Sequence, residues 1–371
     1  MTDGNSRVLR IVLMAFAIAG LLAGMWAGLI RIGWVLPSLR PLLPALHGPL
    51  MIGGFLGTLI GLERAVGTGQ RWAYAAPLLT ALGSVLALAG VPGWPGPLLV
   101  TAGSVVFIIV MVTIVRLQPA LFTGVIALGA LLWFVGNLLW LAGQPISVVV
   151  MWWMGFLVFT ITGERLELSR LLRLPRLAHG LFVALVLVLL GGMVAASAHM
   201  TVAMWITGIG FVGMASWLFQ YDIARRRVKA GGQARFISLS LLSGYAWLGA
   251  GGVLALWYGG VTAGPAYDAI LHAVFLGFVV TMIFAHAPIV FPAVLRVPVT
   301  YTPRLYSHLV LLHLSLGMRL LGDLLLVWPL RQWGGMLNVI VLLLFLFNTI
   351  TSLNPSGRVT QAPRQGATTG R

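Results

Sequence analysis

The 371-residue sequence has no cysteine. That excludes disulfides, iron–sulfur clusters, thiolate-ligated haem and cysteine-based zinc sites, and leaves His, Met, carboxylate and Tyr as the available metal ligands. Charge is nearly as scarce. Asp, Glu, Lys and Arg make up 8% of the chain, against about 25% in a typical soluble domain. Soluble enzyme machinery is missing as well: there is no phosphate-binding glycine loop, no HExxH zinc pair and no serine elbow. Nor are there two carboxylates at contact spacing, as proton abstraction or glycosidic chemistry would want.

What the sequence has instead is apolar length. Hydrophobic residues reach 60% and the mean hydropathy is +1.01. Stretches of roughly twenty apolar residues, enough to cross a hydrocarbon core, recur from end to end. They predict an all-α polytopic bundle of about twelve transmembrane helices, at 8–30, 45–62, 72–91, 96–115, 119–142, 145–163, 177–198, 201–221, 236–258, 267–292, 304–327 and 333–353. The first stretch has no small-residue cleavage site and reads as a retained helix, not a signal peptide. Residues 1–353 then form one transmembrane domain. Residues 354–371, polar and rich in Gly, Pro and Thr, read as a disordered cytoplasmic tail.

The net charge of +16 follows from topology, and nucleic acid is not an expected partner. Nineteen of the 23 Lys and Arg fall on the side that holds both chain ends, so the positive-inside rule predicts cytoplasmic N- and C-termini. The cluster Arg225, Arg226, Arg227, Lys229 and Arg235 is then an anchor that also attracts anionic membrane lipid. Trp34, Trp94, Trp257, Trp328 and Trp333 form an outer aromatic belt.

A repeat runs through the chain. Gly54-Phe55-Leu56 precedes Glu63-Arg64 by nine residues, and Gly155-Phe156-Leu157 precedes Glu164-Arg165 by nine. Gly277-Phe278-Val279 stands at the same distance from His286. The copies fall on the second, sixth and tenth spans, as three four-helix units in a pseudo-threefold arrangement require. Chance recurrence of Gly, Phe and Leu is the competing reading.

Ionisable groups inside spans are costly and mark candidate sites. His47 and His272 lie near the outer ends of the second and tenth spans. Their offsets from the repeat glycines place them within about 3 Å in height, as two axial ligands of one haem iron require; two unrelated interfacial histidines are the alternative. His286 lies about 21 Å below His272 on the same helix, so any metal there is separate. His308 and His313, on the eleventh span, point about 140° apart, and either one meeting His286 would make a second, inner metal site. Arg319 is the one basic residue deep within a span, near the level of His47 and His272. It suits an anion such as a haem propionate, or is neutralised by Asp323 one turn on. Glu63, Arg64, Glu164, Arg165 and Glu167 sit at inner helix ends and read as solvated or interfacial. His179 and His199, which flank the seventh span, read the same way.

The stretch HAVFLGFVVTMIFAH, from His272 to His286, resembles the signature helix of the NnrS family, polytopic haem-containing membrane proteins of the bacterial nitric-oxide response. HGPLMIGGF from His47 is similar to that family's early His-rich helix, Gly163-Glu164-Arg165 to its Gly-x-Arg, and Arg319 to an arginine on the following helix. Only His47 stands where the family's early helix reads His-x-His-Glu, and Pro292 to Thr302 replaces its late Gly-His-Thr-Gly stretch. A wider likeness is to the catalytic subunit of haem–copper oxidases, whose second and tenth helices supply low-spin haem ligands; the copper histidines of its sixth and seventh helices have no counterpart here. The resemblance implies haem b as cofactor, a diatomic gas such as nitric oxide as partner, copper as a second metal, and the bacterial inner membrane as location. A secondary transporter with internal repeats and no haem is the rival reading.

Overall fold

In the computed structural model, which describes residues 3–37, 40–295, 297 and 299–353, the chain forms a bundle of twelve helices long and apolar enough to cross a membrane. They are α1 (Ser6–Arg31), α2 (Leu43–Thr68), α3 (Trp72–Ala89), α4 (Pro95–Leu117), α5 (Leu121–Leu141), α6 (Ile146–Leu172), α7 (Arg176–Ala195), α8 (Met200–Tyr221), α9 (Gly232–Tyr258), α10 (Gly264–Pro292), α11 (Leu305–Leu324) and α12 (Trp328–Thr351). The chain is a multi-pass, all-α membrane protein. The tail expected over 354–371 lies outside the described residues.

The helices that carry the repeat are the innermost. In their most apolar windows α2, α6 and α10 are 61, 78 and 67% buried, against at most 56% in any other span. They meet one another directly: Arg64 of α2 pairs with Glu164 of α6, Gly48 of α2 faces the Trp153 ring of α6, and the rings of His47 and His272 join α2 to α10. Lipid, lacking a hydrophobic drive between helices, rewards close backbone approach through small residues. Here Gly20 meets Gly54 between α1 and α2, Gly83 meets Gly96 between α3 and α4, and Gly208 meets Gly252 between α8 and α9. The outward face of α11 presents Val310, Leu314 and Leu321, each more than half exposed, as a lipid-contacting surface requires.

Three expectations are corrected. The span predicted to end at 163 runs on to Leu172, because the charged residues that seemed to end it are paired inside the protein. Arg165 is 2% exposed and holds Asp222, also 2% exposed, through Nε at 2.8 Å and Nη2 at 3.1 Å. The pairs Arg64–Glu164 and Arg165–Asp222 thus tie α2 to α6 and α6 to the end of α8, and Arg165 is a buried group where a solvated one was expected. Arg331, expected in an outer loop, belongs to the first turn of α12.

At the end of the bundle that holds His47 and His272, the first and last helices close on each other. Trp34 Nε1 donates to the Gln332 carbonyl at 3.3 Å, Gln332 Nε2 donates to the Ile32 carbonyl at 3.1 Å, and the Trp34 and Trp333 rings meet edge to face at 5.2 Å.

Candidate functional site

His47 and His272 are brought face to face. Their ring centroids are 6.3 Å apart with planes inclined by 22°. Two imidazoles that bind one metal end-on, through nitrogens about 2.0 Å away, have centroids roughly 6 Å apart; the separation here equals that, while the rings are stacked, so ligation also asks each ring to turn its Nε2 toward the gap.

Each ring is fixed by its other nitrogen. His47 follows a 3-10 turn over Leu43–Leu46 with Pro44 near its start. Its Nδ1 donates to the Gly24 carbonyl of α1 at 2.7 Å. His272 Nδ1 donates to the Asp268 carbonyl one turn earlier at 2.8 Å, with Asp268 Oδ1 at 3.3 Å. A carbonyl only accepts, so both protons sit on Nδ1 and Nε2 keeps its lone pair. Among the described residues neither Nε2 has a hydrogen-bond partner.

Both helices depart from α geometry just after the histidine. Residues Leu50–Gly57 of α2 and Ala273–Val280 of α10 form eight-residue π-helical segments. Pro49 and the glycines Gly53, Gly54 and Gly57 loosen the first one. Wide turns of this kind gather at functional sites, and α6, which carries the repeat but no histidine at this level, stays α-helical through Ile146–Ser169.

Above the rings lies a neutral network of two arginines and two aspartates. Arg319 donates through Nε and Nη2 to Asp268 Oδ2 at 3.0 and 2.8 Å. Arg331 Nη2 lies 3.8 Å from the same oxygen, and its Nε lies 2.7 Å from Asp323 Oδ1. The expected Arg319–Asp323 neutralisation along one helix face is therefore replaced: Asp268 takes Arg319, and Asp323 takes Arg331. Close contact of α11 with α12 permits this, since a Cβ at Gly334 would fall 2.5 Å from the Arg319 nitrogen. Asp268 was not among the sequence candidates, although its place one turn before His272 is a readable signal.

The other three span histidines each have partners of their own. Among the described residues no three His, Cys, Asp or Glu side chains form a group able to hold a metal ion. His286 Nδ1 donates to the Met282 carbonyl at 2.7 Å. His313 Nδ1 accepts from Trp247 Nε1 at 3.0 Å. His308 is enclosed by the rings of Phe284, Phe345 and Phe236 at 4.6, 5.4 and 6.0 Å, with Asn348 Nδ2 3.2 Å from its Nδ1.

A family model described as a domain of unknown function (DUF8744) matches residues 10–354, and the chain belongs to that family. No curated protein matches the sequence.

Proposed function

We propose that this member of the family binds one haem b between His47 and His272, and that it acts in nitric-oxide metabolism, protection or sensing at the bacterial cytoplasmic membrane, with both chain ends inside. The observation that carries the haem reading is the pairing itself: ring centroids 6.3 Å apart and both Nδ1 atoms committed to carbonyls, which leaves both Nε2 lone pairs for a metal. The donor set fits a bis-imidazole site, which asks the protein for two ligands only. The nitric-oxide role rests on the resemblance of the His272 to His286 stretch to the NnrS family.

Bound haem supplies one-electron redox chemistry at its iron. The residues of this chain set its limits. His47 and His272 would both be engaged in holding the group, an arrangement that would suit electron transfer, and a diatomic gas would need one of the two histidines to move aside. Arg319 and Arg331, tied to Asp268 and Asp323, form the cationic side of the network above the rings where propionates would lie. Copper would have to be held elsewhere, by His286 or His313.

The optical spectrum of the detergent-purified protein tests the reading. A Soret band with sharp reduced α and β bands is expected. A colourless preparation after expression with added haem precursor removes the proposal and favours the transporter, for which the interrupted helices α2 and α10 at the centre of the bundle would be substrate-binding elements.

A further inference from the structure

A small cavity sits at the inner end of α10, far from the paired histidines. It measures about 10 Å³ and is lined by Phe284, Ala287 and Pro288 of α10, by His308 of α11, and by Phe345 and Thr349 of α12, with Val299 and Leu305 closing it. That volume is about one water probe. Only 1% of His308 is exposed, and its Nε2 is buried without a hydrogen-bond partner.

The tautomer of His308 follows from its neighbours. The amide nitrogen Nδ2 of Asn348 lies 3.1 Å from Ser307 Oγ, 3.3 Å from the Arg304 carbonyl and 3.2 Å from His308 Nδ1. An amide NH2 facing a hydroxyl and a carbonyl presents its second hydrogen to the imidazole, so Nδ1 accepts and Nε2 carries the proton. The result is an N–H stranded in an aromatic box, where leaving a buried donor unmatched is costly.

The opposite wall offers the matching deficit. Pro288 and Pro292 both lie inside the helix. Neither has an N–H, so the carbonyls one turn earlier, those of Phe284 and Pro288, lose their usual donors. Both residues line the cavity. The His308 N–H, the carbonyl freed by Pro288 and the hydroxyl of Thr349 thus border a space of one water, and internal waters typically make about three hydrogen bonds.

We propose that this cavity binds a single ordered water, which accepts from His308 Nε2–H and donates to the Phe284 carbonyl and to Thr349 Oγ1. The water pins the inner half of α10, which holds Pro288 and Pro292, to α11 and α12. It also removes His308 from the set of metal ligands, since the nitrogen that faces the cavity is protonated.

A density map of the intact wild-type protein at about 2 Å resolution tests this directly. One isolated peak is expected, about 2.7–3.2 Å from His308 Nε2. A peak about 2.0–2.2 Å from Nε2, the distance of a metal bond, overturns the proposal, and so does an empty cavity. In solution, ¹⁵N chemical shifts of His308 are expected to report a protonated Nε2 and a bare Nδ1; the reverse assignment also overturns it. His308→Phe, which fills the space without a donor, is expected to lose the peak and to leave the metal content of the purified protein unchanged. A fall in metal content in that variant would restore His308 as a ligand and sink the water.

Discussion

Gly28 of α1 touches the imidazole of His47 so closely that a Cβ at position 28 would fall 2.9 Å from both Cε1 and Nδ1. With the Gly24 carbonyl holding Nδ1 one turn away, α1 acts as a mould for a ring that belongs to α2. Gly28→Val is expected to displace His47 while leaving the helix in the membrane. Haem content per inserted protein should fall at least severalfold, measured by pyridine haemochrome against an immunoblot. Wild-type haem content would show that His47 does not need its mould.

Substituting the two histidines separates ligation from packing. His47→Ala and His272→Ala are each expected to abolish the low-spin spectrum or convert it to a five-coordinate one, with insertion unchanged. His199→Ala, beyond the end of α7, should leave the spectrum alone. A low-spin spectrum that survives both single substitutions would remove these residues as ligands.

The Asp268 carboxylate places negative charge 3.3 Å from the His272 ring, and such charge favours the oxidised metal. Asp268→Asn also leaves Arg319 with less compensation. The midpoint potential of the haem should therefore rise by about 30–60 mV, where 59 mV is a tenfold change for one electron. A potentiometric titration with an unchanged or lowered midpoint would contradict the arrangement.

The pair Arg165–Asp222 is a structural bond in a dry place. Asp222→Ala strands a guanidinium inside the protein and should cost about 3–5 kcal/mol, visible as a lower melting temperature in detergent. The double substitution Arg165→Met with Asp222→Leu should recover much of that loss, because removing both charges removes the stranded one. Equal losses in the single and double variants would mean that the charges are not what the site needs.

The orientation is open to reporter fusions. Cytoplasmic reporters placed after Arg116, Arg176, Lys229 and Arg371 are expected to be active, because positive charge collects there. A periplasmic signal from the loop holding Arg225 to Arg235 would invert the topology.

The twelve spans were legible because lipid imposes one length and one polarity on every helix. The shared level of His47 and His272 was legible too, since helical rise turns sequence offset into depth. Their proximity in the membrane plane was not, because no local pattern says which helices are neighbours. The same blindness paired Arg319 with Asp323 along one helix, where the structure pairs it with Asp268 of α10. Charge also misled at the end of α6: Glu164 and Arg165 look like a boundary until their partners on α2 and beyond α8 are known. The π segments of α2 and α10 leave no hydrophobic period of their own. The Pro49 and glycine-rich run of α2 hints at irregularity, whereas Ala273–Val280 of α10 gives no such hint.

The seam between α1 and α12 also sets an order of assembly. A membrane chain is inserted from its first helix onward, so the Trp34 indole and the Ile32 carbonyl wait through ten intervening helices before Gln332 and Trp333 arrive to meet them. Arg331 arrives in that same last helix, and with it the partner of Asp323. Until then Asp323 lacks Arg331, and α1, which moulds His47, lacks its clamp to α12. A chain that stops before α12 would therefore carry both histidines yet leave the helix that moulds one of them unfastened.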